Sequence, residues 1–436
     1  MSGDRPPDPN PFVRRGPSRR GVLGLAALAG ASLLTGCARE RPTPGLPVGS
    51  GSTGGSGGSG SGSGTPTLAA ASPQNPVRWP VLAGNAPITA GLAPEKDATL
   101  QLYNYVDYIN PDVITSFEKK YKNVGVKVVV STFNDTNESL AKIRSGGSYD
   151  VYFPSYDQIG KLALAGLVRP LQHAYLPNIT NVWPQFTDPW YDQGWQYTVP
   201  YVTYTTGIGW RSDRVREDIG ARANPYDVFW DPQYAGRIAV LDDYREVISM
   251  AILHAGSTDI NTGDDAVLAK VRADLAAMAK ATRPQVTITD YTAIPEGKLD
   301  ISQAWSGDMI AAQGYLPQGT DASVLRYWFP SDGKGLVNND LMVVLSGGKN
   351  PVLAHLFLDH LLDDAVAKEN FGFVGYQPPL NSLDPSRLVA DDYAPQSLAG
   401  ATVLPSYFET GYRSLELTPE AEAKWQDTWT RFKAGA

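Results

Sequence analysis

Cysteine is nearly absent from this chain: Cys37 is the only one in 436 residues. It has no partner for an intrachain disulfide and no companion for a thiolate metal set. Histidine is almost as scarce, with His173, His254, His355 and His360 the four present. No His-Glu-x-x-His pattern occurs, and His355 and His360 stand five apart, which does not place both on one helical face. No metal and no cofactor are expected. The glycine fingerprints of nucleotide binding and the Gly-x-Ser-x-Gly elbow are missing as well. Positive charge is in short supply: 37 Lys and Arg face 45 Asp and Glu, a net charge of −8. Five arginines and two aspartates fall within residues 1–36, which leaves the remainder near −11. Nucleic acid, whose binding needs clustered Lys and Arg, is therefore excluded as a partner, and a cationic one is favoured. Long hydrophobic runs are lacking too. The uncharged stretch Gly21 to Gly36 is 16 residues, short of the roughly 20 needed to cross a bilayer.

What the N-terminus does contain is ordered. Ser18-Arg19-Arg20-Gly21-Val22-Leu23 is a twin-arginine pattern, the apolar stretch follows, and Leu34-Thr35-Gly36-Cys37 closes it. A basic start, a short apolar core and small residues at the end describe an export signal. Leu-Thr-Gly-Cys resembles the lipobox of bacterial lipoproteins, in which the cysteine is diacylated and becomes the first residue. The expectation is a signal peptide over 1–36 and lipidation at Cys37, anchoring the protein to the cell membrane on its extracytoplasmic face. Residues 37–66, dominated by Gly, Ser, Thr and Pro, read as a flexible tether that cannot bury enough surface to fold. Residues 67–97, with Trp79 and several prolines but no clear period, read as an extended arm lying on the body.

From Ala98 the pattern becomes α/β. Leu100-Gln101-Leu102-Tyr103 alternates as a strand, Asn110-Pro111 opens a helix with Val113, Ile114, Phe117 and Tyr121 on one face, and Val126, Val128 and Val130 alternate again. A helix over about 137–144, a strand over 149–153 and a short helix beginning at Ile159 complete a strand–helix alternation, which predicts a mostly parallel sheet. A second unit begins after Pro200, with a strand at 238–241, helices at about 244–254 and 264–281, one helix from Pro351 through about 369, and a last one from Pro419 carrying Trp425, Trp429 and Phe432.

Catalytic chemistry has little support. Ser139-x-x-Lys142 matches the Ser-x-x-Lys of penicillin-interacting enzymes, but its companion Lys-Thr-Gly is absent and four-residue matches arise by chance. Carboxylates and aromatics at strand–helix turns stand out more, because in parallel α/β sheets those turns form the ligand crevice. They are Tyr105 to Tyr108, Pro154 to Asp157, and Asp242-Asp243-Tyr244-Arg245-Glu246. Asp243 with Glu246 three residues on also reads as a capping box, which needs no ligand.

Seven segments occur in a telling order: Tyr103 to Ile109, Asp150 to Ser155, Pro200-Tyr201, Trp230 to Gly236, Asp242 to Val247, Trp305-Ser306-Gly307, and Gly375-Tyr376-Gln377-Pro378. Together they resemble the spermidine/putrescine-binding lipoproteins of polyamine ABC importers, within the bacterial extracellular solute-binding proteins, from about residue 98 to the C-terminus. The resemblance implies a two-lobed periplasmic-binding-protein-like α/β fold with crossover hinge strands, lobe one being 98–208 plus 340–386 and lobe two 209–339 plus 387–436. It implies Asp243, Glu246 and Asp340 as acids for the amines, with Arg245 orienting the neighbouring acids. Tyr105, Tyr108, Trp305 and Tyr376 are implied as aromatic walls, and Ser155 as a polar contact. Asp157 stands where the family commonly has tyrosine, Tyr105 where it commonly has tryptophan, and Asn338-Asn339 precede Asp340 where it has a tryptophan. A glutamine near the final helix has no match around Leu415.

The function implied is capture of a polyamine, spermidine or putrescine, and delivery to an ABC permease in the membrane, without chemical change and as a monomer. The alternatives are the same receptor for another cationic or amino-bearing solute, an exported Ser-x-x-Lys hydrolase, or a structural surface protein.

Overall fold

The computed structural model describes residues 70–134 and 136–435; Cys37, the export signal and the tether lie outside them. Residues 70–97 form no helix and no strand, apart from a Ser72–Asn75 bridge. Trp79 nevertheless buries its ring and donates Nε1 to the Tyr191 carbonyl at 2.7 Å.

The chain then alternates β1 (Thr99–Tyr105), α1 (Pro111–Lys120), β2 (Lys127–Phe133), α2 (Thr136–Arg144), β3 (Val151–Tyr152) and α3 (Ile159–Leu164) before the long strand β4 (Val199–Arg211). There follow β5 (Ile238–Leu241), α4 (Tyr244–His254), α5 (Asp265–Thr282), β6 (Gln285–Thr287), α6 (Asp290–Ala293), β7 (Ile301–Trp305), α7 (Ser306–Ala311), β8 (Leu325–Trp328) and β9 (Leu336–Val344). Helices α8 (Pro351–Leu361), α9 (Asp364–Val374), α10 (Tyr407–Thr410) and α11 (Pro419–Lys433) finish the chain.

The strands order as β2-β1-β3-β9-β4-β7-β5-β6, with β8 beside β4. The expected mostly parallel sheet is a mixed one. β1 pairs β2 and β3 in parallel, and β5 pairs β6 and β7 in parallel, as βαβ crossovers require. Between these groups run β4 and β9, antiparallel to each other from Val199↔Met342 to Thr206↔Leu336. β9 is also antiparallel to β3, and β4 to β7 and β8. All residues of β4 and β9 are buried. Uninterrupted burial removes the period-two alternation by which a half-exposed strand is recognised.

Each group of strands has cores on its faces. Leu100 and Leu102 of β1 pack with Val113 and Phe117 of α1 and Phe357 and Leu358 of α8, while Tyr103 turns to Phe133, Tyr152, Leu162 and Trp79 on the opposite face. Around β5 and β7, α4, α5 and α11 enclose Ile238, Val240, Leu268 and Trp425 on one side. Ala239, Ala304, Met309 and Phe371 are joined by Leu388 and Leu398 on the other.

The single helix expected after Pro351 is two. Asp363 interrupts it, accepting from the amides of Ala365 and Val366 at 3.0 and 3.3 Å to cap α9. The cap satisfies two amides at the start of a helix, so a fresh helix begins there. α9 ends at Gly375 with φ +74, a left-handed conformation suited to glycine.

Candidate functional site

The turns after β1, β3, β5 and β7 converge on the crossing strands, and the centre is Asp340 of β9, which is 4% exposed. Its Oδ2 accepts from the Tyr108 hydroxyl at 2.8 Å and its Oδ1 from Ser155 Oγ at 2.6 Å, with the Tyr204 hydroxyl at 3.5 Å. Ser155 is held in place by a bridge to Asp340 itself. Burial pushes the Asp340 carboxyl up to about 6, although the Ser155 and Tyr108 hydroxyls pull it down.

Rings enclose this acid. Tyr108 meets Tyr105 edge-on at 5.5 Å and Tyr376 edge-on at 4.9 Å. Tyr204 meets Tyr376 at 5.8 Å and Trp305 at 6.3 Å, so it joins the two sets of walls. The placement of Tyr376 depends on glycine. A Cβ on Gly307 would collide with the Tyr376 ring, so the first turn of α7 approaches that ring with bare backbone.

The second focus is the N-terminus of α4. Asp243 Oδ1 accepts from the amides of Arg245 and Glu246 at 2.8 and 3.2 Å. This is half of the capping box. Glu246 does not return the bond; its Oε1 accepts from Trp305 Nε1 at 3.3 Å and Asn338 Nδ2 at 3.4 Å. Glu246 Oε2 is buried without a well-formed hydrogen bond. Burial first, then the neighbouring Asp243 charge, push Glu246 up to about 8. Asp243 keeps part of its surface open, yet desolvation raises it to about 6 against its two helix amides.

Asp157 sits apart from the hydrogen-bonded network, accepting from Gln158 Nε2 at 2.6 Å. Desolvation raises it, opposed by the charges of Arg245 and Lys161. It borders a small cavity lined by Trp79, Tyr156, Trp190, Leu415 and Glu416. Arg245 does not take the orienting role expected of it. Its Nη2 binds Asn261 Oδ1 at 2.5 Å and its guanidinium lies over Trp425 at 4.6 Å, so it reaches the acids through its field alone.

Two contributors, Tyr204 and Asp308, were not singled out from sequence, and Asn338 was marked there only as a departure from the family's tryptophan. Tyr204 lies within the unalternating β4. Asn338 links Glu246 to the Tyr156 hydroxyl, which donates to Asn338 Oδ1 at 3.0 Å. Asp308 lies three residues beyond Trp305, one helical turn on, and accepts from the Tyr376 hydroxyl at 2.8 Å. Burial pushes Asp308 up to about 7. The spacing Trp-x-x-Asp at a strand–helix turn was the available signal.

The Ser-x-x-Lys pair does not form a catalytic dyad. Ser139 Oγ donates to the Thr136 carbonyl and pairs with the Tyr152 hydroxyl at 2.6 Å, while Lys142 Nζ lies over the Tyr103 and Tyr149 rings. His355 and His360 are buried and held below their usual range by desolvation. No group of three or more potential metal ligands occurs among the described residues.

Comparison with known proteins identifies the family. The family described as bacterial extracellular solute-binding protein matches residues 112–395. The spermidine/putrescine-binding periplasmic protein of Salmonella typhimurium is 29% identical over 299 residues, 67% of this chain and 80% of that protein. A putrescine/cadaverine-binding protein of Pseudomonas aeruginosa is 29% identical over 305 residues, 69% of this chain and 82% of its own length. Among solved structures, a putative spermidine/putrescine ABC transporter from Listeria monocytogenes superposes with a TM-score of 0.66 at 25% identity, covering 77% of this chain and 98% of that one. With its paired βαβ groups joined by two crossing strands, this chain belongs to the bacterial extracellular solute-binding protein family.

Proposed function

We propose that this solute-binding protein is the extracytoplasmic receptor of an ABC importer, capturing a polyamine between its lobes and passing it to the membrane permease unchanged. The observation that carries the reading is Asp340, a buried carboxylate oriented by the Tyr108 and Ser155 hydroxyls inside a ring of tyrosines. The relatives named for spermidine, putrescine and cadaverine support the same ligand class.

A polyamine is a methylene chain bearing separated ammonium groups. Each ammonium gains about 1.5–3 kcal/mol from a charge-assisted hydrogen bond, and a desolvated ring face adds up to about 2 kcal/mol. Asp243, Glu246 and Asp340 are the acids we assign to these ammonium groups. Tyr105, Tyr108, Trp305 and Tyr376 are the walls beside the methylenes, with Ser155 a polar contact and Asp157 an acidic edge. Carboxyls raised by burial fit this role, because a cation arriving beside them repays their desolvation and ionises them. Lobe one is assigned to 98–208 plus 340–386 and lobe two to 209–339 plus 387–436. Closure of these lobes over the ligand gives the bound state its differential affinity.

The finer placement belongs to the same proposal: export by the twin-arginine signal, a lipid on Cys37, and a monomer tethered to the outer face of the membrane by residues 37–66. A thermal-shift screen of the full chain against spermidine, putrescine, agmatine, basic amino acids and sugars tests the ligand class. Stabilisation by the polyamines is the expected result; stabilisation by sugars alone would refute it. Radiolabelled palmitate incorporation that Cys37→Ser abolishes is the expected result for the anchor.

A further inference from the structure

The arm that precedes β1 lies outside residues 112–395, the span matching the family, yet it is fastened beside the candidate site. Ala71, Val77 and Trp79 are its buried residues among those described, Trp79 being 3% exposed. The arm runs along the segment 189–197. Val77 donates its amide to the Trp190 carbonyl at 2.9 Å, and its carbonyl accepts from the Gln193 amide at 2.8 Å. The Trp79 and Pro80 carbonyls accept from Gln196 Nε2 at 2.8 Å and the Tyr197 hydroxyl at 3.0 Å. Trp79 Nε1 donates to the Tyr191 carbonyl at 2.7 Å. A Cβ on Gly160 would stand 2.9 Å from Trp79 Cη2, so the indole ring is seated on bare backbone of α3. Both the polar and the apolar part of this side chain are therefore fixed.

From Trp79 the contacts lead to a ligand acid. The Tyr191 ring leans on Tyr156 at 5.6 Å, Trp190 meets the same ring edge-on at 5.7 Å, and the Arg413 guanidinium covers it at 4.2 Å. The Tyr156 hydroxyl, so placed, donates to Asn338 Oδ1 at 3.0 Å. That bond decides which way the amide faces. Oδ1 is engaged by a donor, so Nδ2 is the group turned to Glu246 Oε1, at 3.4 Å. A flipped amide would set its oxygen against a carboxylate. Glu246 depends on the correct orientation, because its other donor, Trp305 Nε1, is 3.3 Å away and its Oε2 has no well-formed bond. Asn339 is tied to the same segment. Its Nδ2 reaches the Tyr191 hydroxyl at 3.4 Å, and its Oδ1 accepts from Arg413 Nη2 at 2.5 Å.

We propose that Trp79 is a positioning residue of the ligand site: it anchors Tyr191 against Tyr156, whose hydroxyl fixes the Asn338 amide and through it the Glu246 carboxylate. The effect on binding rests on the amine-receptor reading above, in which Glu246 receives an ammonium. Trp79 acts through Tyr156 and not by touching the ligand. The arm is thereby a brace for the site, and its indole supports from behind a wall that this chain builds from asparagine amides.

Two measurements on the full chain test this, and the first needs no ligand. The side-chain amide signals of Asn338 in a nuclear magnetic resonance spectrum are identified by their loss in Asn338→Ala. They are expected to shift in Tyr156→Phe and in Trp79→Phe. Trp230→Phe is the matched control, since Trp230 Nε1 also donates to a backbone carbonyl, that of Asp274 at 2.9 Å, but in a different core. It is expected to leave the signals in place. Asn338 signals that Trp79→Phe does not move overturn the brace. Calorimetric titration with spermidine and putrescine supplies the second readout. Tyr156→Phe is expected to weaken binding about tenfold, Trp79→Phe about threefold, and Trp230→Phe not at all, although both tryptophan variants melt lower. Trp79→Phe added to Tyr156→Phe is expected to cost no further affinity, because its route to the site is already cut. An equal loss in both backgrounds, or a lower melting temperature with unchanged affinity, overturns the positioning role. Responsive amide signals in a protein that binds neither polyamine overturn the receptor reading and uphold the brace.

Discussion

Tyr108 and Asp340 lie 232 positions apart in the chain and 2.8 Å apart in space, the tyrosine hydroxyl donating to the carboxylate. One closes the first strand–helix turn and the other sits on a crossing strand, so the bond exists only when both are in place. Asp340→Ala is expected to weaken polyamine binding at least tenfold, about 1.4 kcal/mol or more, with the fold intact. Tyr108→Phe removes one donor and keeps the ring, so a loss of about threefold to tenfold is expected. Isothermal titration with spermidine measures both, and wild-type affinity in Asp340→Ala would remove the acid from the site.

Asp243 has two tasks that one substitution can separate. Serine keeps an oxygen to cap α4 but has no charge; alanine has neither. Thermal unfolding should therefore show Asp243→Ala destabilised by about 1 kcal/mol and Asp243→Ser near wild type. Both should lose at least tenfold in polyamine affinity. Full binding by the serine variant would reduce Asp243 to a helix cap.

The empty protein should lose stability as pH rises toward the alkaline side. Glu246, raised to about 8, and Asp308, raised to about 7, hold protons in the folded state. The unfolded chain has released them by about pH 4–5. The folded state therefore binds more protons, and unfolding free energy falls with rising pH, by up to about 1.4 kcal/mol per unit and group. Buried His355 and His360, held neutral, act in the opposite sense below about pH 6.5, so the window to scan is about 6.5 to 8.5. Melting temperature should drop across it, Glu246→Gln should flatten the drop, and saturating spermidine should cancel it.

Gly307→Ala probes the wall that α7 supports. Its new methyl group meets the Tyr376 ring, an overpacking that costs about 1–3 kcal/mol. Displacing Tyr376 also disturbs its bond to Asp308. Both a lower melting temperature and a weaker spermidine titration are expected; unchanged affinity would place Tyr376 outside the ligand's reach.

The parts of this architecture that are legible in sequence are those with a local signal. Asn110-Pro111 marks α1 because a cap and a proline act on their own helix. Val128 and Val130 show their strand because Lys127 and Val129 beside them are more exposed. β4 and β9 are buried throughout, so Tyr204 carried no periodic mark. Glu246 illustrates the other limit. Its spacing from Asp243 reads as a capping box, but whether its carboxylate turns back to the helix or out to Trp305 is decided by residues 59 and 92 positions away.

The two crossing strands have a mechanical consequence. They are hydrogen-bonded to each other along their shared length, broken only by an irregularity between Pro200 and Val202. The halves of the molecule are therefore connected by a two-ply ribbon, which bends readily about one axis and resists shear in its own plane. Tyr204 and Asp340 ride on that ribbon. If Asp340 receives the ammonium as proposed, a guest that draws it inward pulls on the flexing element directly, with no intervening relay between the binding charge and the opening angle.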